Sequence, residues 1–249
     1  MLTPPEIARS LLAAGESKAR LPLGKMLLLA ILAGAYIALA GVGATAAAVT
    51  VESGSLAKLL SACVFPAGLS MVILAGSELF TGNCLMVMAL LERRITPAQL
   101  LRNWLTVYLG NAVGGAAVAA LAVYSHTASL FGDGLARSMV SIAESKAALG
   151  AGDAFLRGVL CNFLVCLAVW MAAASKRAEG KVIALFFPIL LFVLCGYEHC
   201  IANLYYLPAG AFAAAEYGME TTLTLAGCLE NLAAVTLGNL VGGAALGVG

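Results

Sequence analysis

The 249-residue chain is 62% hydrophobic and 11% charged, with a formal net charge of +1. Its mean hydropathy of +0.98 is more than one water-soluble core can absorb, because soluble domains average about 45–50% apolar and about 25% charged residues. Lipid is the expected solvent, and a near-neutral chain without a dense basic run excludes a nucleic-acid-binding module.

Residues 1–24 begin Met-Leu-Thr-Pro-Pro-Glu and carry Arg9, Lys18 and Arg20 in an amphipathic stretch. They lack the charged, apolar and cleavable regions of a removable leader. They read as a helix on the membrane surface that starts near Thr3 with proline in its first turn. Six apolar segments follow, at 26–50, 59–91, 99–123, 154–174, 182–212 and 222–248. A helix needs about 20 residues to cross about 30 Å of hydrocarbon. The second and fifth segments run to roughly thirty, or roughly 45 Å of unbroken helix. Each has helix breakers at its middle: Gly76-Ser-Glu-Leu-Phe-Thr-Gly-Asn83 and Gly196-Tyr-Glu-His-Cys-Ile-Ala-Asn203. Each therefore reads as two half-helices joined by a non-helical loop inside the membrane. Residues 124–153 form a polar outer loop, in which His126 reads as a solvated residue.

Ten of the fourteen Lys and Arg residues fall in the N-terminus and the 2–3 and 4–5 loops, and Lys58, Arg137, Lys146 and Arg157 make up the rest. The positive-inside rule then places both termini in the cytoplasm, which six spans allow. The expected location is the inner membrane of a bacterium or archaeon.

The two broken segments share Gly-x-Glu-x4-Asn at an offset of 120 residues. A second match follows, Asn103-Trp-Leu-Thr-Val-Tyr-Leu-Gly-Asn-Ala-Val-Gly-Gly115 against Asn231-Leu-Ala-Ala-Val-Thr-Leu-Gly-Asn-Leu-Val-Gly-Gly243, identical at eight of thirteen positions. Each half (25–123 and 154–249) holds three spans, so the second must enter the membrane inverted, as in transporters and channels whose broken helices meet at mid-membrane. The predicted fold is all-α: one transmembrane domain, six helices, a 3+3 inverted repeat.

Non-helical backbone at this depth needs partners in protein or in a wet cavity. Glu78 and Glu198 are expected to accept hydrogen bonds from the freed amides of the breaks, with Asn83 and Asn203 in the same scaffold. Half-helices starting near Thr81 and His199 would aim positive dipole ends at the centre and favour an anion there. Thr81 can line the pore or cap its half-helix. His199 is an ionisable group at mid-membrane, where such residues are usually functional. The pairs Gly110/Gly114 and Gly238/Gly242 allow close helix approach. The seven cysteines form no Cys-x-x-Cys pair and read as buried small hydrophobes. A membrane enzyme built on Glu198, His199 and Cys200 is the competing class, but adjacent helical positions point about 100° apart and cannot converge on one ion. No further cluster completes a four-ligand set, so no metal site and no catalytic residue is expected. A scaffold without transport would leave the cost of two breaks unexplained.

Glu78-Leu-Phe-Thr-Gly-Asn83, Arg157-Gly-Val-Leu-Cys-Asn162 and Gly196-Tyr-Glu-His-Cys-Ile-Ala-Asn203 resemble the signatures of the formate/nitrite transporter family, over essentially the whole chain. The resemblance implies a homopentamer with one pore per subunit, no cofactor, and passage of formate, nitrite, hydrosulfide or a related weak-acid anion. It places the central pore histidine on His199 and the family's Leu-Phe-Thr loop on Leu79, Phe80 and Thr81. It puts further apolar constrictions on Phe65, Leu69 and Phe192, a pore-facing asparagine on Asn162 and a vestibule lysine on Lys146. The chain ends at Gly249, close on the sixth span, so the family's C-terminal regulation is expected to be absent or to lie outside this sequence. Signs of the preferred anion conflict: Tyr197 and the Gly-Ser-Glu-Leu-Phe-Thr run look nitrite-type, Asn203-Leu-Tyr-Tyr-Leu-Pro208 formate-type. The resulting expectation is a small-anion channel or proton-coupled carrier. A proton lent by His199, whose side chain ordinarily titrates near neutrality, would spare the anion the desolvation cost of the constriction.

Overall fold

The computed structural model describes residues 1–248, all helical apart from turns and short connections. The surface helix α1 (Pro4–Ala19) has Thr3 at its N-cap, a reciprocal Thr3/Glu6 capping box and Pro4 in its first turn, as the sequence implies. It is fastened to the rest by Arg94 on Glu16 (2.9 Å), by the Arg102 guanidinium on the Leu21 carbonyl (2.8 Å) and by the Leu2 amide on the Ala174 carbonyl.

The first half consists of α2 (Leu23–Ala48), α3 (Gly54–Val64) running through Pro66 into α4 (Pro66–Ala75), the short α5 (Phe80–Asn83) continuing through a tight turn into α6 (Val87–Leu91), and α7 (Pro97–Tyr124). The second half repeats this as α9 (Ala151–Ala173), α10 (Ala178–Leu194), α11 (Cys200–Glu216) and α12 (Leu225–Val248). Among the described residues, five stretches are long and apolar enough to cross a membrane: α2, α3 with α4, α7, α9 and α12. The fifth span is split into α10 and α11, each of 17 residues.

Both interruptions fall where the sequence puts them. Gly76 and Gly196 end α4 and α10 with φ of +76° and +69°, the left-handed turn that glycine reaches without steric cost. A few extended residues follow in each case before the chain turns helical again at Phe80 and at Cys200. Each half is held together by a close helix crossing. A Cβ on Gly114 would strike the Ile31 carbonyl of α2, and one on Gly242 the Val159 carbonyl of α9. The small-residue pairs therefore bring α7 against α2 and α12 against α9.

Two expectations change. The 124–153 stretch is not merely a polar loop: it holds α8 (Gly134–Ala147), which buries Leu135, Ala136, Met139, Val140 and Ala143. His126 is exposed in a left-handed turn before a short 3-10 segment. Of the seven cysteines only Cys84, Cys161, Cys166 and Cys200 are buried; Cys63 and Cys195 are exposed and Cys228 is half-buried. Gly249 lies outside the described residues.

Candidate functional site at the two helix breaks

Each break exposes backbone groups that a helix would pair, and the repeat pairs them in the same way twice. In the first, the Glu78 amide donates to the Leu29 carbonyl. Asn111 of α7 accepts from the Phe80 amide (3.0 Å) and donates to the Ala30 and Glu78 carbonyls (2.7 and 2.9 Å). In the second, the Glu198 amide donates to the Arg157 carbonyl. Asn239 of α12 accepts from the Cys200 amide (2.9 Å) and donates to the Gly158 and Glu198 carbonyls (2.8 and 2.9 Å).

The two glutamates do not take the freed amides, as the sequence suggested they would. Asn111 and Asn239 do that, and the carboxylates serve cations instead. Lys18 bonds Glu78 (2.8 Å) and the Asn83 side-chain oxygen (2.9 Å). Asn83 donates to Glu78 (2.7 Å) and to Asn103 (2.9 Å). On the other side Lys146 reaches both oxygens of Glu198 at 2.9 Å, and Asn203 donates to Glu198 (2.7 Å) and to Asn231 (2.8 Å). A buried carboxylate is tolerable only when paired and hydrogen-bonded, and both are. Lys146, expected only as a vestibule lysine, is thus paired with Glu198. Lys18, Asn103, Asn111, Asn231 and Asn239 were not singled out, although the repeated thirteen-residue segment contains all four of those asparagines.

A path runs between the breaks. One recess of about 320 Å³, on the α8 side, is lined by Lys58, Ser61, Ser145, Lys146, Arg157 and Glu198, with Phe65, Phe192 and His199 at its floor. The opposite recess, about 280 Å³ on the α1 side, is lined by Lys18, Glu78 and largely apolar residues, with Leu69 and Leu79 among them. Between them lies a void of about 10 Å³ bounded by Phe65, Leu69, Leu79, Phe192 and His199, together with Ile37, Val165 and Ile189. Phe65 and Phe192 meet edge to face at 5.7 Å, and Phe192 stacks on the His199 ring. Four of the five expected constriction residues therefore converge, Phe65 and Phe192 toward one recess and Leu69 and Leu79 toward the other. Phe80 does not: its ring lies edge-on to Trp104 and Tyr108, because the helical turn that begins there rotates it toward α7.

His199 is the N-cap of α11, and its Nδ1 accepts from the Ala202 amide (3.1 Å). That bond fixes the neutral tautomer with the proton on Nε2, which donates to the Thr81 hydroxyl at 2.9 Å. An imidazolium would need a proton on Nδ1, where the Ala202 amide already points. The cap therefore opposes the proton lending expected from sequence. Thr81 is not a helix cap; it is fully buried behind His199. Nor does Asn162 face the void: its amide is spent on the Thr81 and Asn239 carbonyls (3.3 and 2.7 Å), so it ties the two breaks together.

Known proteins resemble this chain in sequence and fold. The family model described as "Formate/nitrite transporter" matches residues 5–249. A "Probable formate transporter" of Methanothermobacter thermautotrophicus is 39% identical, over 97% of this chain and 93% of that one. A solved "FNT family ion channel" superposes with a TM-score of 0.85 at 32% identity, covering 96% of this chain and 95% of that one. A solved "Pentameric formate channel with formate bound" gives a TM-score of 0.78 at 32% identity, covering 89% and 92%.

Proposed function

The chain belongs to the formate/nitrite transporter family of multi-pass membrane channels rather than enzymes, and from that premise we propose that it conducts small monovalent weak-acid anions, formate foremost. The observation that carries the reading is the closure itself: one neutral imidazole N–H in a void of about 10 Å³, walled by apolar side chains between two lysine-bearing recesses. A bare anion there loses its hydration and gains few partners, at a cost of several kcal/mol. The neutral acid of the same ion pays far less. His199 offers the one polar contact in the wall, and a permeating species would replace Thr81 as the acceptor of its Nε2–H. The rise of flux in acid then belongs to the weak acid, not to His199. Formate is favoured because the relatives' names carry it; nitrite, which is likewise planar with three heavy atoms, is its nearest rival, and hydrosulfide the alternative. The ten-to-four distribution of basic residues supports cytoplasmic termini in the inner membrane, with α8 outside. The pentameric solved relative supports a homopentamer.

Proteoliposomes loaded with a pH dye and challenged separately with formate, nitrite and hydrosulfide gradients test the reading. Rapid formate or nitrite flux that rises with the protonated fraction is the expected result. No flux of any of the three above protein-free vesicles would refute it.

A further inference from the structure

The inverted repeat gives the two breaks matching scaffolds, so the residues around the two recesses can be compared mate by mate. The matching backbone bonds of the two breaks, Glu78 to Leu29 and Glu198 to Arg157, make Leu29 the repeat mate of Arg157. The second pair of such bonds, Ser77 to Val72 and Tyr197 to Phe192, sets the 120-residue offset that pairs Lys58 with Ala178. Lys58 and Arg157 line the α8-side recess, whereas their mates Ala178 and Leu29 are apolar and line no part of the α1-side one. Lys181 lies in the first turn of α10 but does not line the α1-side recess.

Lys58 and Arg157 are both exposed, and among the described residues neither side chain makes an ion pair. Lys146 is already committed to Glu198. The α8-side recess therefore holds three cations against one carboxylate, with the Ser61 and Ser145 hydroxyls beside them, whereas Lys18 and Glu78 balance on the α1 side. An adjoining recess that shares Thr45, Ser61, Ser141 and Ile142 adds Arg137. Acids of the same face, among them Glu52, Asp133, Asp153 and Glu220, line neither recess. Charge on this face is sorted, with cations along the approach and acids off it. A concave site lined by one sign of charge concentrates its counter-ion, and does so less as salt rises.

We propose that Lys58 and Arg157 form an anion-capture subsite, outward of the Lys146–Glu198 pair, that holds a small monocarboxylate or nitrite ion before it reaches the closure and makes access from the α8 side tighter than access from the α1 side. The proposal rests on the anion-conducting reading above. Its test is formate uptake into proteoliposomes whose orientation is scored by protease accessibility of an N-terminal tag, measured for each direction. The wild-type KM is expected to be lower from the α8 side by roughly 3- to 10-fold at low ionic strength, and the difference should shrink as salt is raised. In Lys58→Gln/Arg157→Leu, which gives Arg157 its repeat mate's identity, the ratio of the two KM values should fall toward one. Arg157→Lys alone should keep most of it. A ratio near one in the wild type, or one that the double variant leaves in place, would overturn the subsite while formate still crosses. Vesicles that pass no formate in either direction would instead overturn the conduction reading, and the subsite with it.

Discussion

The two breaks are built to one plan and used for two purposes. Asn111 and Asn239 satisfy the freed backbone with matching sets of three hydrogen bonds, and a glutamate–asparagine–asparagine chain backs each one. They diverge in how the cation is held. Lys18 comes from the surface helix, divides its donors between Glu78 and Asn83, and keeps 29% of its side chain exposed. Lys146 comes from α8, gives both contacts to Glu198, lies 5.4 Å from the Tyr206 ring centroid and is 15% exposed. The Asn203 side-chain oxygen, whose mate in Asn83 accepts from Lys18, is left without a partner among the described residues. The residue ending each loop differs most: Leu79 in the first half, His199 at the same place in the second. What the repeat shares is the means of keeping a helix broken in lipid; what the chain does with the breaks lies where repeat mates differ.

The largest effect should come from the shared part. Asn111→Ala or Asn239→Ala strands one amide and two carbonyls, at about 1–3 kcal/mol for each buried group. Either change should cost several kcal/mol and lower the thermal transition of the detergent-solubilised protein by similar amounts. A large loss in one half with none in the other would break the equivalence.

Removing the lysines should separate the halves. Lys146→Met leaves Glu198 buried and unpaired, which costs about 3–5 kcal/mol where both partners are buried. Lys18→Met should cost clearly less, because Lys18 is itself the more exposed lysine, so its pair with Glu78 is the more screened by water. Melting curves in which Lys18→Met is the worse of the two would reverse that assignment.

Gly114→Ala and Gly242→Ala should again behave as a pair. Each drives a methyl group into a facing backbone carbonyl, and overpacking of this kind costs about 1–3 kcal/mol.

The smallest difference lies where α7 and α12 begin. α7 starts with a neutral capping box, the Gln99 amide donating to the Thr96 hydroxyl. The loop before α12 is instead held by Glu144, which accepts from the Thr222 amide and the Thr221 hydroxyl. Those two bonds keep the Glu144 carboxyl below its ordinary range. A lowered carboxylate stabilises while ionised, so the contribution is present above its ordinary pKa and is lost as pH falls through the lowered value. The hydrogen-exchange protection factor of the Thr222 amide should therefore drop in acid while that of Gln99 holds. Parallel behaviour of the two would remove Glu144 from the account.

Much of this was legible in the sequence, because a bilayer penalises unpaired backbone and so confines glycine and polar residues to places that need them. The spans, both breaks and the inversion follow from apolar length, from Gly76 and Gly196 and from the repeated segments. What was not legible depended on where side chains meet across the fold. The repeated Asn103/Asn231 and Asn111/Asn239 carried a signal, yet only the crossing of α7 and α12 against the breaks shows what they bond. Lys18 sits in a surface helix whose docking no periodicity encodes. Phe80 is one residue from Leu79, and the helical turn beginning there sends the two in different directions. The role of His199 turned on a single backbone amide, that of Ala202.

That amide decides the central claim, that His199 stays neutral and the weak acid carries the pH dependence. Asparagine at position 199 can still cap α11 but cannot titrate. Formate flux in proteoliposomes should be followed from acid to neutral pH for the wild type and His199→Asn, with assembly checked by native mass measurement. The account predicts that the rise of flux in acid survives the substitution with the same midpoint, whatever happens to its amplitude. A folded His199→Asn protein that conducts but has lost that rise would contradict it and return the proton to His199.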